Sequence, residues 1–183
     1  MKDRLNGWYM RSWRRVARSD GKGFDYEYVG ELYGFARPTG QVKRLKRLLL
    51  AGYVALVAVY LLAALVPSAG AMWRWVGLPQ MLTLIPLIYL GMAVVRLMLC
   101  GEKFPYRDYH AGFLRLKKSC FAALVLLSAT LLSELIFTAL YAESTGRELL
   151  FVAELAVCIV LCAAGLAAAK RFPCVIVEKP KEV

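Results

Sequence analysis

The sequence predicts an all-α polytopic membrane protein, an antiparallel four-helix transmembrane bundle with a basic amphipathic N-terminal helix lying in the membrane interface. Three observations carry this expectation. Of 183 residues, 60% are apolar, well above the roughly 45–50% of a soluble domain. Four stretches are each about 20 residues of mostly apolar sequence, the length a helix needs to cross about 30 Å of hydrocarbon. Finally, 24 Lys and Arg stand against 13 Asp and Glu, a formal charge of +11, and almost all the basic residues flank the apolar stretches. This profile excludes a soluble single-domain enzyme.

The expected spans are 48–66, 79–99, 119–141 and 149–169, which form one transmembrane domain over 48–169. In lipid the backbone must satisfy its own hydrogen bonds, so a span is either a helix or part of a closed barrel. Barrel strands alternate polar and apolar residues over about 10 positions, and none of these stretches does. The connections of 12, 19 and 7 residues leave no room for another globular domain, and the last is short enough to make the third and fourth spans neighbours. Ala69-Gly70-Ala71 matches a small-x-small cleavage pattern. The 47 residues before the first span, and the 19 of the span itself, are both too long for a removed leader.

Orientation follows from the basic residues. Residues 1–47 carry twelve Lys and Arg, the 100–118 connection five and the 170–183 tail four, while the other two connections carry only Arg74 and Arg147. Basic flanks are retained in the cytoplasm, which places both termini there. Trp73, Trp75 and Tyr141 then suit the aromatic belt on the outer side.

Within the cytoplasmic segment 1–47, a helix over 3–18 would gather Arg4, Arg11, Arg14, Arg15 and Arg18 on one face, with Trp8 and Trp13 on the other. These seven residues form an expected lipid-surface site for anionic headgroups. Docking on a protein is an alternative, and nucleic acid is the least favoured partner because the segment is tethered beside lipid. Asp20-Gly21-Lys22-Gly23 ends the helix. The aromatic and acidic run 24–35 reads as an interfacial loop over the helix ends, with a partner-binding strand or tyrosine motif as the alternative. Lys43, Arg44, Lys46 and Arg47, in the collar 43–47, set orientation.

Tyr28-Val29-Gly30-Glu31-Leu32-Tyr33-Gly34-Phe35, the 43–47 collar, Leu84-Ile85-Pro86-Leu87-Ile88-Tyr89-Leu90, and Arg107-Asp108-Tyr109 before Arg115-Leu116-Lys117-Lys118-Ser119 follow in an order that resembles small, uncharacterised four-span bacterial membrane proteins. The resemblance covers roughly 26–141 and implies a bacterial cytoplasmic membrane. It carries no activity and no site residue.

Three charges fall within the spans. Arg96 lies near the end of its helix and can extend to the headgroups. Glu134 and Glu154 fall at similar depth on adjacent antiparallel helices, where they form a candidate proton or cation site, or else make polar contacts with Ser133, Thr138 or Thr130. Pro79 begins the second span and Pro86 kinks it. Ala153, Ala156, Ala164, Gly165 and Ala168 give the fourth span a small-residue face for a homodimer or another membrane protein. Five cysteines without a C-x-x-C pair, and a lone His110, offer no thiol-oxidase, metal or histidine-relay signature. No nucleotide-binding loop or nucleophile elbow occurs, so neither catalysis nor a cofactor is expected. The expected function is that of a non-enzymatic accessory or scaffold subunit, and the alternative is a proton- or cation-coupled transporter, working as a dimer, that uses Glu134 and Glu154.

Reporters fused after residue 20, within 101–116 and at the carboxyl end should therefore read cytoplasm, and reporters near Gly70 and Thr145 should read exterior. An exterior reading at the carboxyl end would require an odd number of spans.

Overall fold

Each apolar stretch becomes one long helix that runs past its apolar core into charged flanks. The computed structural model describes residues 13–17, 24–66, 68–141, 145–171 and 173–178. Helix α1 (Thr39–Leu65) takes in the basic collar and starts directly after Pro38. Helix α2 (Arg74–Leu99) begins five residues ahead of Pro79, so both Pro79 and Pro86 lie inside it; the expectation that Pro79 opens the helix is corrected. Two hydroxyls bond to the main chain between the prolines: Thr83 Oγ1 donates to the Pro79 carbonyl at 2.8 Å, and the Tyr60 hydroxyl donates to that of Gln80. Helix α3 (Arg115–Tyr141) is preceded without a break by a turn, Tyr106–Asp108, and a π-helical segment, Tyr109–Leu114. Helix α4 is Thr145–Arg171.

All four helices are long and apolar enough to cross a membrane. Helix α1 packs on α2 and α4, and α3 packs on the same two, which closes a ring of neighbours. Leu56, Val94, Leu127, Leu155 and Cys158 fill the core between them. Outside it, Leu61, Leu62, Ile85, Ile88, Leu132 and Val160 are more than half exposed. A continuous apolar exterior of this kind requires an apolar surrounding, and the chain is a membrane protein.

The amino-terminal segment departs from the expected helix. Trp13–Ala17 forms strand β1, antiparallel to strand β2 (Phe24–Tyr28), so the helical reading is corrected over 13–17; Arg4, Trp8, Arg11 and Arg18 lie outside the described residues. Cross-strand pairing explains the change. Trp13 sits opposite Tyr28 with their rings edge to face at 5.3 Å. Arg15 sits opposite Tyr26, donates to its hydroxyl at 3.1 Å, and lies 5.7 Å from both the Tyr26 and Phe24 rings. A helix would offer these aromatics no such partners.

The expected loop 24–35 is corrected as well, since its second half enters a sheet. Strand β3 (Leu32–Phe35) lies between β4 (Lys103–Pro105) and β5 (Cys174–Glu178), antiparallel to both. Three segments far apart in sequence, one from the aromatic and acidic run and two from the middle connection and the tail, thus meet at one end of the helices. Tyr33 stacks on Tyr109 of the π-helical segment at 4.5 Å and 7°, and its hydroxyl donates to Glu31 at 2.6 Å. Burial and that neighbouring carboxylate hold the Tyr33 phenol above its ordinary pKa. Gly34 has no room for a side chain, because a Cβ would stand 2.7 Å from Val177 Cγ2 and 3.2 Å from the Glu102 carbonyl. Phe104 is fully buried beside Phe35, with ring centres 5.6 Å apart.

Phe104→Ala should lower the stability of the protein by about 3–5 kcal/mol, the usual cost of emptying a buried aromatic site. Thermal unfolding in detergent measures this, and an unchanged midpoint would show that the sheet does not anchor the helix ends.

Candidate functional site

At the end opposite the sheet, Ser68-Ala69-Gly70-Ala71 is small enough to dip between the helices, and a single 3₁₀ turn, Gly70–Met72, places it there. Ser68 and Gly70 are buried, as are Glu134 on α3 and Glu148 on α4 at 0% and 1% exposure. The Ala69 amide donates to Glu148 Oε1 at 2.9 Å, and the Ala71 amide donates to Ser68 Oγ at 3.0 Å. The Glu148 carboxyl also meets the Gly70 amide, the Ser68 hydroxyl and the Glu134 carboxyl. Glu148 lies in the first turn of α4, where the positive end of the helix dipole favours a carboxylate.

Gly70 is required here. A Cβ on it would stand 2.5 Å from Glu134 Oε1 and 2.6 Å from its Cδ, closer than any carbon side chain is tolerated. Above the turn, Trp73 packs on Phe137 and Tyr141, with ring centres at 5.6 and 6.1 Å. The Ser68 hydroxyl is a donor to both acids, and the other side-chain partner of each is the carboxyl opposite, which as a carboxylate has no proton to give. One proton placed between the two carboxyls turns that conflict into a hydrogen bond, so the chemistry of this site is the holding of a proton by a buried acid pair.

The structure brings Glu134 to Glu148 and not to Glu154, the partner expected from depth. Residues 148 and 154 are six positions apart, about 240° around a helix, so only one of them can face α3 at this level. Glu154 is half-buried near Cys158, and its Oε2 has no donor. Counting depth from the middle of the connection misplaced the pair, because α4 already begins at Thr145. The signal that would have found Glu148 was an acid in the first turn of a helix opposite a run of small residues. Thr130 bonds back to the Leu126 carbonyl at 2.9 Å rather than to Glu134.

The remaining sequence candidates lie elsewhere. Arg96, near the end of α2, contacts Asp108 Oδ1 through its Nη2 and Nε at 2.7 and 2.8 Å. Of the expected lipid-surface residues, Trp13, Arg14 and Arg15 lie in β1. The five cysteines are free thiols, and burial pushes that of Cys174 up to about 12, which leaves it protonated and slow to react. The chain matches no family model, no curated protein and no solved structure. Its site is therefore read from its own chemistry.

Gly70→Ala should cost about 1–3 kcal/mol by overpacking against Glu134. In a Glu134→Ala background the same change should cost much less, because the obstructing carboxyl is gone. A double-mutant cycle by thermal unfolding measures the difference, and equal costs in the two backgrounds would show that Gly70 does not rest on Glu134.

Proposed function

We propose that the chain is a non-enzymatic accessory or scaffold subunit of a bacterial cytoplasmic membrane, an antiparallel four-helix bundle with both termini inside, acting through its basic sheet-bearing end. The observation that carries this reading is the β4–β3–β5 sheet, which joins the segment before α1, the α2–α3 connection and the segment after α4 at one end of the helices, next to the chain's basic flanks. Such an end is pre-shaped, so a partner meets it without the ordering cost of three separate tails. The positive-inside asymmetry supports the cytoplasmic placement of that end. Anionic lipid remains the proposed neighbour of the basic strand β1, whose Arg15 is exposed, and nucleic acid the least favoured. Crosslinking in native membranes followed by mass spectrometry should recover a stoichiometric partner or a homodimer. Monomer alone, across several crosslinker lengths, would contradict the reading.

A second reading, coupling of a proton or cation to transport, is favoured by one observation: Glu134 is buried against the carboxyl of Glu148. In proteoliposomes a pH gradient should then drive a flux that Glu134→Gln or Glu148→Gln abolishes, while Glu154→Gln leaves it intact. Flux unchanged in the first two variants would remove this reading.

A further inference from the structure

At the sheet end the ring of helices is not fully closed. A chamber of about 280 Å³ lies between all four helices, lined by Leu56 on α1, Val94 on α2, Cys120 on α3 and Leu161 on α4. It continues into a second cavity of about 590 Å³ between α1 and α4, and Leu48, Ala164 and Ala168 line both. The outer cavity ends at Gln41, Arg44 and Arg171, and both arginines are exposed. Of the small residues that read in sequence as a self-association face, Ala164, Gly165 and Ala168 border this passage; Gly165 in particular turns inward, where a Cβ would lie 3.5 Å from Cys120 Sγ.

An apolar chamber of this size holds no stable water, because water needs two or more polar partners. Its mouth opens between two helices whose exterior is apolar, where hydrocarbon chains are the surrounding solvent. At the rim, two guanidinium groups stand level with the start of α1 and the end of α4, at the depth of lipid phosphates. A neutral chain would match the chamber alone. Only an anionic amphiphile matches the chamber and the rim together.

We propose that this passage binds one anionic phospholipid, its headgroup phosphate held by Arg44 and Arg171 and one acyl chain threaded between α1 and α4 into the chamber. The lipid completes the packing that the helices leave open. Gly52 gives the chamber much of its width, since a Cβ there would meet nothing within 4 Å.

The test uses the full chain, stripped of lipid in neutral detergent and titrated with phosphatidylglycerol or phosphatidylcholine, with bound lipid read by native mass spectrometry. Phosphatidylglycerol should bind at one per chain, about tenfold or more tighter than phosphatidylcholine. Arg44→Ala combined with Arg171→Ala should erase that preference, weakening phosphatidylglycerol strongly and phosphatidylcholine, whose choline cation already offsets the same phosphate, by less. Gly52→Leu, which the open space accommodates and a helix favours, should weaken both lipids with helicity retained by circular dichroism. Equal affinity for the two lipids, an arginine double variant that keeps the preference, or a second copy of the chain crosslinked across the α1–α4 mouth in place of lipid would each overturn the proposal.

Discussion

In hydrocarbon a main-chain amide has no partner but another part of the chain, and the rest of this structure is arranged around that constraint. It forces each apolar stretch into a helix long enough to return its backbone to polar surroundings. Four such helices bring residues 24–35, 100–105 and 173–178 out at the same end. There the constraint changes character: the segments emerge beside one another with unpaired amides and carbonyls, and β3 satisfies both of its edges by pairing with β4 and β5. The sheet thus follows from the even number of helices. It also fastens them, through Tyr33 on Tyr109 and Phe104 under Phe35.

The opposite end is closed by different means. The described residues between α1 and α2 form a 3₁₀ turn rather than a strand, and two acids reach it from α3 and α4. Glu148 accepts from the main chain of the turn, while Glu134 lies under Gly70 and faces Glu148. Burying two carboxyls is costly unless a proton joins them, and breaking such a pair leaves an uncompensated polar group. The Glu134–Glu148 pair thus lies against the turn that joins α1 to α2. The structural and transport readings therefore share Glu134.

The helices were legible because length and hydropathy act locally. Their neighbours were partly legible, since a seven-residue connection allows little but contact between α3 and α4. The sheet was not. A run such as Phe24–Phe35 alternates like a strand, yet a strand is an element only if another edge exists, and the edges come from the middle connection and the tail. The amino-terminal arginines carried an equally ambiguous pattern: a helical projection separates Arg14 and Arg15 from Trp13, but pairing with Phe24–Tyr28 rewards the alternation instead. Glu134 was recognised from its depth, whereas Glu148 was hidden by its place at a helix start, where an acid is ordinary.

The account stands most directly on β3 lying between two strands that reach it from other parts of the chain. Solid-state NMR of the labelled protein in bilayers can observe main-chain contacts from Tyr33 to Phe104 and from Tyr33 to Ile176, the pairs opposed in the two ladders. Both contacts should be present together in one population. Loss of both while the four helices persist would contradict the arrangement of the three segments at one end, and with it the claim that the sheet closes the fold.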